Sequence, residues 1–187
     1  MKRILSVLAL AAAVWMTAGC RQAAPSVEGR VIDATIHSVT VLTAGGDSLS
    51  VSTLGTDPMS VPGVLPGDAV RVFYELLPDG ETMHAVQLDI TAPSAYRLLP
   101  GIWRDCSSAE EVGLVLAEDG SAQVVGLEGV TLQDWSLDGD DLVLTSVDPD
   151  GKAPSRTLLY KIERLDIDSL VVRPAEAGRS LAFSRQR

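Results

Sequence analysis

Histidine and cysteine are nearly missing from this chain of 187 residues, which holds two of each, and aromatic residues supply only 4%. The shortage of histidine removes most routes to metal and hydrolytic chemistry. His37 and His84 stand far apart, each in a strand-like segment, where a lone polar position in a sheet explains them better than a metal ligand does. No Gly-x-Ser-x-Gly elbow, His-Glu-x-x-His, phosphate-cradling glycine loop or Cys-x-x-Cys occurs. A thiol triad would have to join Cys106 to a histidine from the other half of the chain, with no evident third group to orient it. A glycosidase-type carboxylate pair would find few platforms for a sugar, since only seven aromatic residues lie beyond residue 19. Asp138, Asp140, Asp141, Asp148 and Asp150 lack the order of a calcium loop and read as hairpin turns. The chain is therefore expected to be no enzyme and to hold neither metal nor cofactor.

Positive charge is also short. Fifteen basic side chains face twenty-five acidic ones, a formal charge of −10 that repels nucleic acid and anionic lipid and reads as the solvated surface of an exported protein. Long apolar runs are absent except near the N-terminus. There Lys2 and Arg3 precede an apolar run from Ile4 to Met16, and Thr17-Ala18-Gly19-Cys20 follows it, the order of a secretory signal. The run is shorter than the roughly 20 residues needed to cross a hydrocarbon core.

The small residues before Cys20 resemble the lipobox of bacterial lipoproteins, although Thr17 stands where that family usually has Leu or Val. The resemblance implies removal of residues 1–19 and attachment of palmitate-type acyl chains to Cys20. At about 0.8 kcal/mol per buried methylene, several such chains would make membrane attachment effectively permanent. Arg21, where an Asp would often mark retention at the inner membrane, implies passage to the outer membrane. The lack of an acidic cluster after it implies that the protein faces the periplasm. Loss of Lys2 and Arg3 leaves thirteen basic against twenty-five acidic groups, a formal charge of −12. With Cys20 lipidated, Cys106 has no intramolecular partner, and a free thiol on a monomer is expected.

After a tether at residues 20–26 the chain alternates with a period of two, rich in Val, Leu, Ile and Thr and broken by Gly, Asp and Pro. This is an all-β pattern. Five strands are expected over Val27–Ile36, Ser38–Thr43, Ser48–Thr53, Ala69–Leu76 and Thr82–Thr91. Thr91-Ala92-Pro93-Ser94 then interrupts the alternation and marks a boundary between units at 27–92 and 96–187. Seven short strands are expected in the second unit: Val112–Ala117, Ala122–Leu127, Thr131–Leu137, Leu142–Val147, Ser155–Arg164, Ser169–Arg173 and Arg179–Ser184. They favour an antiparallel meander that curls on itself, so the fold expected is two small β-barrels in tandem.

Leu99-Pro100-Gly101-Ile102-Trp103, Gly113-Leu114-Val115-Leu116, Trp135-Ser136-Leu137 and Asp168-Ser169-Leu170-Val171-Val172 resemble the small lipocalin-like domains of Bacteroides-type lipoproteins. The first unit, through Gly29-Arg30-Val31-Ile32-Asp33-Ala34 and Gly67-Asp68-Ala69-Val70-Arg71-Val72, resembles the OB-like barrel that often precedes them. The lipocalin resemblance implies that Trp103 lies at the closed end of the barrel, beneath a basic side chain of the last strand. Leu181, Phe183 and Arg185 share one strand face, which makes Arg185 the candidate for barrel closure through a cation–π contact. Trp135, Tyr160 and Phe183 are candidates to line a cavity or to pack a filled interior. Strands of about six residues with bulky inward sets favour a filled barrel, with space well under roughly 300 Å³.

Together these features suggest a non-catalytic, lipid-anchored envelope protein that binds a small apolar molecule. An interaction protein with filled barrels, docking another envelope component, is the alternative, and an unrecognised hydrolase comes third.

Overall fold

The computed structural model describes residues 24–108, 111–148 and 154–186. The chain forms two antiparallel-rich barrels in sequence. In the first, β1 (Ser26–Ala34), β2 (Ser38–Thr43), β3 (Ser48–Ser52), β4 (Ala69–Leu76) and β5 (Met83–Ala92) close in the order β1-β2-β3-β5-β4. All its pairs are antiparallel except β3 with β5, where Ser52 stands opposite His84. Alternate residues Val39 and Val41, Val70 and Val72, with Val31, Val51, Ala85 and Leu88, fill the interior. Branched side chains suit a pleated face buried on one side, and each fully buried valine or leucine contributes roughly 2 kcal/mol. Gly29 pairs with both Thr43 and Val70, and any Cβ there would collide with the Leu42 carbonyl. A side chain is excluded where β1 serves both neighbours around the barrel corner.

The first strand ends at Ala34 instead of Ile36. Thr35 Oγ1 accepts hydrogen bonds from the amides of His37 at 3.2 Å and Ser38 at 3.1 Å, turning the chain two residues early. This hydroxyl competes with the ladder. His37 therefore lies in the β1–β2 turn and not in a strand, whereas His84 lies in β5.

Pro93 and Ser94 lead into a four-residue helix, α1 (Ala95–Leu98). The second barrel follows with β6 (Gly101–Asp105), β7 (Gly113–Leu116), β8 (Ala122–Val125), β9 (Thr131–Asp138), β10 (Asp141–Val147), β11 (Arg156–Leu165), β12 (Ser169–Pro174) and β13 (Leu181–Gln186). These eight strands form one antiparallel sheet in the order β8-β7-β6-β13-β12-β11-β10-β9. Its outer strands nearly close on each other through the bridge between Ser121 and Asp134 and the Trp135 amide on the Gly120 carbonyl, 2.7 Å. The strand missing from the seven expected is β6. Pro100 precedes it, Gly101 opens it and Arg104-Asp105 end it, so its alternation is too short to register. The last strand is shifted as well, running to Gln186 because that residue pairs with Ile102 on β6.

Asp68 joins the two barrels. Its carboxylate is fully buried and accepts hydrogen bonds from the amides of Ser94 (2.7 Å) and Leu65 (2.9 Å) and from Arg97 Nη2 (2.9 Å). Arg97 Nη2 also donates to the Gly63 carbonyl at 3.1 Å. Burial opposes ionisation of Asp68, but the bonds from Arg97, Leu65 and Ser94 outweigh it and hold the carboxyl below its ordinary range. One charged group thus fixes the loop before β4, the linker and α1 together.

Candidate ligand site

The second barrel has two unlike ends. At one, Trp103 stands directly opposite Arg185 in the β6–β13 ladder and is completely buried. Its indole Nε1 donates to the Leu99 carbonyl at 2.8 Å, and the Arg185 guanidinium lies over the ring, 4.2 Å from its centroid. Arg185 also donates to the carbonyls of Ile167 (2.6 Å), Pro100 (2.7 Å) and Leu98. One guanidinium therefore links the chain before β6, the β11–β12 turn and the last strand. Its planar fork can satisfy three carbonyls while its face covers an indole, which a lysine ammonium cannot do. Gly101 makes room for it: with φ at +146°, a Cβ at this position would run into Arg185 Nη1. Leu99, Leu116 and Leu170 complete the seal.

Trp135 belongs to the sealed half and does not line the cavity described below. Its Nε1 donates to the Ala117 carbonyl at 2.8 Å, and its ring meets Tyr96 with centroids 6.3 Å apart. Its outer side borders a separate cleft of about 720 Å³ between the barrels, where Leu65, Pro66, Tyr96, Arg97 and Glu118 also stand.

The other half of the barrel is hollow. A cavity of about 380 Å³ lies among Leu114, Leu132, Leu142, Leu144, Leu158, Leu181 and their neighbours, with Tyr160 and Phe183 in its wall. A filled interior was expected, so the structure corrects that reading. Two features account for the space. The indoles of Trp103 and Trp135 crowd into the sealed half, leaving aliphatic side chains to line the other. In addition, β9, β10 and β11 have eight, seven and ten residues, so their barrel wall is deeper than six-residue strands would give.

The cavity opens where β6, β8, β10 and β12 end, at the loops leading to β7, β9, β11 and β13. Leu127 and Val130, from the β8–β9 loop, line it and remain about half exposed. Sequence periodicity put Leu127 at the end of a strand that in fact stops at Val125 and left Val130 outside any strand; two apolar residues flanking Glu128-Gly129 were the available signal that both belong to a loop. Asp105 is the acidic member of the lining. Its Oδ1 accepts from both Oγ and N of Ser107 at 2.7 Å, and these bonds keep its carboxyl low against a smaller opposing effect of burial, with Arg179 adding a weaker pull in the same direction. Burial raises the Tyr160 phenol, so it stays neutral and can donate one hydrogen bond. Cys106 follows Asp105 in an exposed turn with a free thiol. Among the described residues no cluster of His, Cys, Asp or Glu is placed to hold a metal, and no helix is long and apolar enough to cross a membrane. Cys20 and Asp150 lie outside the described residues.

An antiparallel meander sealed at one end by Trp beneath Arg and open at the other onto an apolar cavity defines the C-terminal barrel as a lipocalin-like domain. Residues 96–186 match the family model described as lipocalin-like. A crystal structure of a lipocalin-like protein from Bacteroides thetaiotaomicron is similar at 25% identity, over 46% of this chain and 95% of that one, with a TM-score of 0.40. No curated protein matches the chain. The lipocalin-like fold commonly binds small hydrophobic ligands, and its members are typically binding proteins. The first barrel lies outside the family match.

Proposed function

We propose that this protein is a lipid-anchored, non-catalytic envelope protein whose C-terminal barrel holds one small apolar molecule. The observation that carries the reading is the cavity of about 380 Å³, within the size range of small-molecule sites and walled almost entirely by aliphatic and aromatic side chains. It also favours ligand binding over the interaction reading, which required filled barrels. Titration with N-phenyl-1-naphthylamine, an uncharged dye that brightens in apolar surroundings, should give saturable one-to-one binding at micromolar concentration. Leu158→Trp, which puts an indole into the cavity, should weaken it at least tenfold. Non-saturating binding, or binding indifferent to the substitution, refutes the reading.

The anchor rests on the residues before Cys20, and Arg21 supports an outer-membrane position facing the periplasm. Mass spectrometry should find acyl chains on an N-terminal Cys20, and Cys20→Ser should move the protein to the soluble fraction. An unmodified cysteine or a retained signal defeats this part. The closed order β1-β2-β3-β5-β4, with β3 and β5 parallel, supports an OB-like reading of the first barrel. Its acidic setting argues against nucleic acid as a partner, and the protein acts as a monomer.

A further inference from the structure

The cavity is not neutral toward the charge of what enters it. No basic side chain lines it among the described residues, and the charged group in its wall is Asp105. Ser107 saturates one oxygen of that carboxylate through two hydrogen bonds, which fixes the group at the rim as an anion. The surrounding end of the barrel repeats the sign. Its loops carry Glu111, Glu128 and Glu176 among the described residues. Against these stand Arg104 next to Asp105 in β6, Arg179 in the β12–β13 loop and Arg156 at the start of β11, none of which lines the cavity. Arg173, at the end of β12, is already paired with Glu163 at 3.0 Å. Inside, the Tyr160 hydroxyl is the polar side-chain group that a ligand would meet beyond the rim, and it has no protein partner among the described residues. It can satisfy one hydroxyl, carbonyl or amide, but it cannot neutralise a carboxylate.

We propose that the cavity selects by charge, taking a medium-chain amphiphile whose head is uncharged or cationic and excluding the anion of a fatty acid. This rests on the reading of the barrel as a ligand site and specifies its ligand class. The chain length follows from the volume. An apolar cavity of about 150 Å³ accepts benzene, so about 380 Å³ accommodates on the order of fifteen carbon atoms at the same loading. An anionic head would sit beside Asp105 with no cation in the wall, and burying it there without a partner is unfavourable. A hydroxyl could instead bond Tyr160, and an ammonium at the rim would meet complementary charge.

The experiment is displacement of N-phenyl-1-naphthylamine from the full mature chain by four ligands sharing a twelve-carbon tail. They are dodecanol, kept below its solubility limit, and dodecyltrimethylammonium, dodecanoate and dodecyl sulfate, each below its micellar concentration, at pH 7.5. The alcohol and the ammonium should displace the dye about tenfold more effectively than either anion, the scale of two like charges roughly 10 Å apart near a protein surface. The gap should shrink in 0.5 M salt. Asp105→Asn should narrow the dodecanol-to-dodecanoate ratio. Glu128→Gln, on a different loop, should narrow it in the same direction if the first variant folds poorly. Dodecanoate binding as tightly as dodecanol overturns the charge selection while leaving the cavity reading intact. Selective loss of dodecanoate binding in Arg156→Gln or Arg179→Gln overturns it too, by assigning the head to that cation. If neither the dye nor any ligand binds, the cavity reading itself fails, and the selectivity with it.

Discussion

Replacing Arg185 by alanine tests whether the sealed end holds the second barrel together. The side chain lies over Trp103 at 4.2 Å and donates to the carbonyls of Leu98, Pro100 and Ile167. A hydrogen bond from a charged donor is worth about 1.5–3 kcal/mol when buried, and a cation–π contact about 1 kcal/mol. The side chain is only partly buried and water can reach some of the freed carbonyls, so the three bonds together are discounted to about 2 kcal/mol. The expected loss is then about 3 kcal/mol, with Arg185→Lys recovering less than half because an ammonium cannot span all three carbonyls and the ring. The assay is urea unfolding followed by tryptophan fluorescence. It isolates the second barrel, because Trp103 and Trp135 both lie there and no tryptophan occurs in the first. For a domain of this size the loss corresponds to a fall in Tm of about 15 °C. A change under about 0.5 kcal/mol, or equal stability of the Lys variant and the parent, refutes the reasoning.

The Asp68 carboxyl is held below its ordinary value of 3.8, so its contribution is fully present above that pH and is lost as pH falls through the lower folded-state value. Asp68→Asn should cost about 2–3 kcal/mol at pH 7 in urea unfolding followed by circular dichroism, and the deficit should shrink below pH 4; a deficit independent of pH contradicts the assignment. Cys106 is exposed, so a thiol reagent should titrate it fully in the folded protein, and Cys106→Ala should shift stability by less than about 0.5 kcal/mol. A disulfide-linked dimer in protein purified without reductant would count against the monomer.

The strands were legible in the sequence because an antiparallel sheet with one buried face writes itself as alternation. Val39 and Val41 or Leu142 and Leu144 are buried while the residues between them are not. The short β6 was not legible, since five residues between a proline and a turn, the first of them a glycine, give the pattern too little length. The pairing of Trp103 with Arg185 was accessible from the lipocalin resemblance, with the spacing of the last strand choosing the arginine, but the three carbonyls beneath the guanidinium come from segments with no pattern of their own. Periodicity tells which residues point inward and not at what height along the barrel axis they sit. Trp135 and Tyr160 both read as inward, yet one packs in the sealed half and the other walls the cavity. Whether such a barrel is full or hollow depends on that height, and on bulges such as those at Thr145/Ser146 and Ile162/Arg164 that alter strand register.

The two barrels are joined in a way that leaves the open end of the cavity free. The linker leaves β5 at Ala92, beside Ala69 and Asp68, and delivers the chain through α1 to the start of β6, where Arg185 and Trp103 make the seal. The first barrel is therefore attached at the sealed end of the second, and the open end lies at the opposite ends of the same strands. Within the first barrel, β1 begins opposite Phe73, four positions along β4 from Ala69, so a tether from the proposed anchor enters more than about 10 Å from the linker at strand spacing. The open end of the second barrel therefore lies away from both the linker and the first barrel, and its acidic rim, with Asp105 in the cavity wall, stands at the end of the strands that the first barrel does not approach.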